Sequence, residues 1–179
     1  MANDSSKACL EALVSRHYGF VWRLLRGFGL SPADAEDAAQ QVFMIAARKI
    51  DSIAPDHERS FLYGTTRRTA NNARRGLRRR REVSDDEVVI DEQAVHAGPE
   101  QDAELAQARS LLGELLAELP DELRRVLVLA EVEQIEVQEI AALERIPLGT
   151  AASRLRRARE RFRALLEAAQ HRNPFGGEP

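Results

Sequence analysis

Ile146-Pro147-Leu148-Gly149-Thr150-Ala151-Ala152-Ser153-Arg154-Leu155-Arg156-Arg157-Ala158-Arg159 reads as the turn and second helix of a helix-turn-helix. An apolar helix runs up to it through Val137, Ile140 and Ala141. Pro147 and Gly149 are expected to break that helix, because proline lacks a backbone donor and glycine accepts unusual dihedrals. A short second helix follows. Its apolar residues Ala151, Leu155, Ala158, Phe162 and Leu165 share one face at helical spacing. Ser153, Arg154, Arg157 and Arg161 fall on another face. Hydroxyl and guanidinium groups turned outward are what a reader of the DNA major groove requires.

Charge is segregated along the chain. The total of 179 residues carries a formal net charge of only -3. Yet Arg67 to Arg81 contains eight arginines and no acid, and Glu82 to Glu104 contains nine acids and no lysine or arginine. Arginine returns from Arg145 to Arg163. Two basic patches separated by an acidic segment suit two contacts with a polyanion, joined by a part that avoids it.

Other function classes find little support. Cys9 is the single cysteine, which excludes an intramolecular disulfide and a cysteine zinc site and suggests a reducing compartment. His17, His57, His96 and His171 show no ligand spacing, so neither metal nor cofactor is expected. No paired carboxylates, activated nucleophile or phosphate-cradling glycine loop points to an enzyme. No apolar run approaches a membrane span, and Met1-Ala2-Asn3-Asp4 does not start a secretion signal, so a cytoplasmic location is expected.

The fold class is all-α. Leu10, Leu13, Val14, Tyr18, Val21, Leu24 and Leu25 form the apolar stripe of a first helix that Gly27 and Gly29 end. Ser31-Pro32-Ala33-Asp34 starts a second, with serine as cap and proline in the first turn. Its Ala35, Ala39, Val42, Phe43, Ala46 and Ile50 line one face; Asp34, Asp37, Gln41 and Met44 line another. Asp51 to Glu58 reads as a loop, and a third helix runs from about Arg59 to Arg81. The segment 82–104 reads as a flexible acidic linker with an isolated possible strand at Val88-Val89-Ile90. Beyond it, Leu111, Leu112, Leu115 and Leu116 predict one apolar helix face. After the break at Leu119-Pro120-Asp121, Leu123, Val126, Leu127 and Ala130 predict another.

These residues resemble a known family. Leu119-Pro120, Arg125-Val126, Glu131, Glu139-Ile140-Ala141, Ile146-Pro147, Gly149-Thr150, Ser153-Arg154-Leu155 and Arg157-Ala158-Arg159 resemble region 4 of a bacterial RNA polymerase sigma factor. Ala35-Glu36-Asp37-Ala38, Gln40-Gln41-Val42-Phe43 and Phe61-Leu62-Tyr63 resemble region 2. The two regions in this order, joined by a short linker, are similar to the extracytoplasmic-function group of the sigma-70 family. The resemblance implies region 2 over 1–81, the linker over 82–104, region 4 over 105–170 and a tail over 171–179.

It also implies partners and site residues. Asp34, Asp37, Gln40, Gln41 and Met44 would meet the clamp helices of the polymerase β′ subunit, and region 4 the β flap. Phe61, Tyr63, Arg67, Arg68, Asn71, Asn72 and Arg75 would read the promoter -10 element, with Phe61 and Tyr63 equally placed to be core. Phe61 stands where the family usually has tryptophan, Arg68 where it has asparagine and Asn72 where it has aspartate. Thr150, Ser153, Arg154, Arg156 and Arg157 would engage the -35 element. An anti-sigma factor is a further implied partner. Two other readings of the residues stay open: a helix-turn-helix regulator acting without polymerase, and a helical interaction protein.

Overall fold

The computed structural model describes residues 2–83 and 101–172. Among them every regular element is a helix, and the α-helices run in the order α1 (Ala2–Gly27), α2 (Pro32–Ala47), α3 (Glu58–Val83), α4 (Gln101–Ala117), α5 (Asp121–Leu127), α6 (Val137–Glu144) and α7 (Leu148–Arg172). The helices form two compact units: α1 up to Arg26 with α2 and α3, and α4–α7 with the short stretch Gly27–Gly29. The linker expected over 82–104 overlaps helix at both ends, since α3 runs to Val83 and α4 starts at Gln101. The strand expected at Val88-Val89-Ile90 lies outside the described residues.

In the first unit, α1 ends where glycine permits it. The Leu30 N–H donates to the Leu25 carbonyl at 3.2 Å, and Gly29 sits at φ +90°. This is a Schellman closure, in which a left-handed residue lets the chain turn back onto the last carbonyls. Arg26 also donates to the Leu30 carbonyl at 2.7 Å. Ser31 then caps α2, its hydroxyl accepting the Asp34 N–H at 3.1 Å and donating to the Asp34 carboxylate at 2.7 Å. The small residues Ala35, Ala38, Ala39 and Ala46, with Val42 and Phe43, bury the inner face of α2. Alanine at these positions lets helices approach closely, and α3 packs there.

The core face of α3 comprises Leu62, Tyr63, Thr65, Thr66, Thr69 and Ala70. The expected loop over residues 51–58 is two single 3₁₀ turns, Ile50–Ser52 and Pro55–His57. Glu58 belongs to α3 and joins it to α1. Its carboxylate accepts from Arg16 at 2.8 Å and meets the His17 ring at 2.8 Å. Burial pushes this carboxyl up, but the hydrogen bonds and charges of His17 and Arg16 outweigh that and hold it below its ordinary range. Native Glu58 therefore releases its proton more readily than unfolded Glu58. The resulting stability is present above the ordinary carboxylate range and is lost as pH falls through the lowered native value. The thermal midpoint of the α1–α3 unit should drop on acidification below about pH 5, and Glu58→Gln should flatten that drop while lowering the midpoint at pH 7. Melting curves of both proteins from pH 7 to pH 3 check this.

The second unit packs α5 and α6 against α7. α5 continues beyond Leu127 as one π-helical turn, Val128–Val132. Leu115, Leu116, Leu119, Leu123, Val126, Leu127, Leu129, Ile140, Ala151, Leu155 and Ala158 are buried. The four-leucine face expected on α4 is only half realised: Leu115 and Leu116 are buried, whereas Leu111 and Leu112 are 40% and 43% exposed. They stand a turn earlier, before the other helices of this unit cover α4.

The helix-turn-helix is closed by different residues from those expected. α6 ends at Glu144, and Arg145, at φ 57° and ψ 49°, takes the left-handed position. Pro147 follows the break, and its carbonyl accepts from Thr150 N–H at 2.9 Å and Ala151 N–H at 3.0 Å, opening α7. Gly149 lies inside the first turn of α7. That helix has 25 residues and is long rather than short.

Candidate functional site

Three outward surfaces are built on this scaffold. The first is the face of α2 opposite its alanine stripe. Asp37, Gln40 and Gln41 are exposed, and Met44 is 57% exposed. Asp34 is half-buried, and its carboxylate is engaged by the Ser31 hydroxyl, so part of its charge serves the helix cap. Tyr18 of α1, also partly exposed, stacks on Phe43 with ring centroids 6.2 Å apart. The result is an exposed methionine with acidic and amide groups around it. Such a surface suits a protein contact with apolar energy and polar orientation.

The second surface is α3. Its sequence candidates divide sharply. Tyr63 is 1% exposed and belongs to the core, which corrects its placement on the -10 surface. A ring held among packed helices offers no face on which a base can stack. Phe61, Arg67 and Asn71 are half-buried, whereas Arg68, Asn72 and Arg75 are exposed. Arg68, Asn72 and Arg75 recur at helical spacing, and Arg79, also exposed, extends the same stripe. Arg79 was absent from the sequence candidates. The signal that finds it is the interval of four from Arg75 within the arginine tract. The stripe places guanidinium and amide groups along about 17 Å of helix at 1.5 Å per residue. Groups so arranged bind phosphates and hydrogen-bond base edges.

The third surface is α7. Thr150 and Arg154 are half-buried, and Ser153, Arg156 and Arg157 are exposed. The Ser153 hydroxyl donates to the Thr150 carbonyl at 3.0 Å, which fixes it on the helix surface. Arg156 pairs with Glu160 at 2.7 Å along the helix, so its charge is partly offset. Arg159 reaches Glu131 at 2.8 Å and ties α7 to the turn after α5. Behind this surface, Arg125 grips Glu144 with two parallel bonds of 2.9 and 3.0 Å, and the Glu144 side chain is 2% exposed. This bidentate pair locks α5 to the last turn of α6, directly ahead of the recognition helix. Nothing local in the sequence marks this pair, because its two positions lie 19 residues apart.

Among the described residues no cluster of histidine, cysteine or carboxylate side chains could hold a metal, and no helix is long and apolar enough to cross a membrane.

Residues 13–81 match the family model of Sigma-70 region 2, and residues 109–162 match that of Sigma-70, region 4. The ECF RNA polymerase sigma factor SigE of Mycolicibacterium smegmatis is 30% identical over 159 residues, covering 87% of this chain and 61% of its own length. The ECF RNA polymerase sigma-E factor of Escherichia coli K12 is 31% identical over 135 residues, 71% of each chain. The chain thus spans less than two thirds of the mycobacterial relative. In fold it is similar to CnrH, solved with the cytosolic domain of CnrY, at a TM-score of 0.67 and 23% identity over 89% of this chain and 88% of that one. It is also similar to the sigma factor RpoE of Bartonella quintana, solved with the anti-sigma factor NepR, at a TM-score of 0.62 and 23% identity over 92% and 96%. With both regions matched, in order, and a relative above 30% identity covered over most of its length, the chain belongs to the ECF group of the sigma-70 family of RNA polymerase sigma factors.

Proposed function

We propose that this chain is an alternative sigma factor, a non-catalytic subunit that joins core RNA polymerase in the cytoplasm and directs it to promoters with its own -10 and -35 elements. The observation that carries this reading is the division of labour between helices of one chain. α2 presents an uncharged apolar centre with acidic neighbours, whereas α3 and α7 present arginine stripes. A regulator that worked on DNA alone would need no such α2 face.

In this reading Asp37, Gln40, Gln41 and Met44, with the capping residue Asp34, meet the β′ clamp helices. Region 4 meets the β flap. Phe61, Arg67, Arg68, Asn71, Asn72, Arg75 and Arg79 engage the -10 element. A base displaced from the duplex needs a stacking or hydrogen-bonding partner, which the half-buried Phe61 and Asn71 supply at the edge of the α3 stripe. Arg154 and Arg157 read -35 bases, while Thr150, Ser153 and Arg156 hold phosphates. An anti-sigma factor is proposed as a regulatory partner, since both structural neighbours were solved as complexes and one of them is a sigma factor with its anti-sigma factor.

The direct test is binding to core polymerase. Asp37→Arg places a like charge where complementarity is expected and should weaken the complex about tenfold to a hundredfold without unfolding the exposed helix face. Equilibrium titration of labelled protein with core enzyme measures it. A folded chain that does not bind core enzyme removes the sigma reading and leaves a DNA-only regulator.

A further inference from the structure

We propose that Arg145 is a further DNA-binding residue, a phosphate anchor in the turn ahead of the recognition helix. The inference rests on the reading that α7 engages DNA.

α6 closes with the same motif as α1. The Ile146 N–H donates to the Ala141 carbonyl at 3.0 Å, and the Arg145 N–H donates to the Ala142 carbonyl at 3.2 Å. In α1 the left-handed position is filled by glycine, at φ +90°. In α6 it is filled by arginine, at φ 57°. Glycine adopts this conformation freely, whereas a residue with a Cβ atom meets steric resistance there. Arg145 therefore keeps a side chain where the backbone favours none.

Two residues other than glycine have positive φ among those described, Gln134 and Arg145. Gln134 has a local use for its side chain, since Nε2 donates to the Glu131 carbonyl at 2.6 Å. Arg145 has none of that kind. Its side chain is exposed, and among the described residues its guanidinium has no hydrogen-bonding or ion-pair partner. The preceding acid does not neutralise it either. Glu144 is buried and bonded to Arg125, whereas Arg145 is exposed. Among the described residues, a guanidinium without an acid partner is left in the turn, three residues before α7 begins.

In a helix-turn-helix the second helix enters the major groove by its N-terminal end, so the turn ahead of it passes beside the phosphate backbone. A guanidinium at that place meets phosphate oxygens with its planar fork of donors. Such a contact adds affinity and register without base information.

The test uses the full chain bound to core polymerase, on a promoter fragment carrying the -35 element, with affinity measured across a salt series. Arg145→Gly should reduce affinity about fivefold or more and lower the slope of log affinity against log salt by about 1. Arg145→Lys keeps the charge and should retain the wild-type slope. The thermal midpoint of the free Arg145→Gly chain should rise, because glycine relieves the left-handed position. Loss of affinity with a raised midpoint supports the phosphate contact. Wild-type affinity and slope in Arg145→Gly overturn it, as does a loss of affinity accompanied by a lowered midpoint, which would assign Arg145 to the fold. A wild-type holoenzyme that does not bind the -35 fragment overturns both this contact and the reading of α7 on which it rests.

Discussion

Glu144→Ala is expected to unfold the helix-turn-helix unit or leave it barely folded at 25 °C. The Glu144 side chain is almost fully buried and holds Arg125 through two bonds. Its removal leaves a guanidinium, itself only 18% exposed, without that acid. Breaking one side of a buried ion pair costs about 3–5 kcal/mol, mostly the desolvation of the charge left behind. A unit of this size commonly has about 4–10 kcal/mol in total, so the loss takes most of it. Urea denaturation followed by circular dichroism measures the change. The double replacement Arg125→Met with Glu144→Leu removes both charges and keeps apolar volume, and it should recover most of the lost stability. If the single variant melts as the wild type does, the pair contributes nothing and the locking role is wrong.

The second large effect concerns recognition. Arg154→Ala with Arg157→Ala should abolish selective use of the -35 element while leaving the fold intact, because Arg157 is exposed and Arg154, at the edge of the stripe of Ala151, Leu155 and Ala158, is only half-buried. A bidentate arginine on guanine is worth about 1–3 kcal/mol of discrimination. Two such contacts together predict a loss of about a hundredfold or more in selective binding. Transcription in vitro from a promoter selected for this factor, compared with one carrying a scrambled -35 element, gives the readout. The variant should use both equally poorly. Arg156→Ala, whose guanidinium is shared with Glu160, should cost less and should change salt dependence rather than sequence preference. Retained discrimination in the double variant would move base readout to other residues of α7.

The legibility of this chain was uneven, for reasons visible in particular residues. The inner face of α2 could be read because alanine, valine and phenylalanine recur at helical spacing, and they are buried together. The recognition helix could be read because Ala151, Leu155 and Ala158 alternate with arginine and serine at the same spacing, and these three are buried. Periodicity says which side of a helix is apolar. It does not say how wide a face its neighbours cover. α3 is covered broadly enough to enclose Tyr63, so a residue equally suited to a base-binding surface or a core belongs to the core. α4 is covered narrowly, so Leu111 and Leu112 stay partly exposed.

Capping was legible only where the side chain acts on its own turn. Ser31 caps α2 through Asp34, three residues away, and the motif was readable as written. The end of α6 was not, because proline and glycine were natural candidates and arginine was not. The Schellman closure at Arg145 depends on the path Ile146 takes back to the Ala141 carbonyl.

The helices, their order, the helix-turn-helix and the segregation of charge are all legible in local spacing. Each of these rests on spacing within a single element, where backbone bonds span four residues and side chains repeat every three or four. Packing settles that Glu58 joins α1 to α3, that Glu144 is buried against Arg125, that Tyr63 is enclosed, and that an exposed Arg145 closes α6 in a left-handed turn. These outcomes depend on which surfaces meet, over separations of 42 and 19 residues for the Arg16–Glu58 and Arg125–Glu144 ion pairs. Burial and pairing of that kind follow from packing rather than from local sequence period.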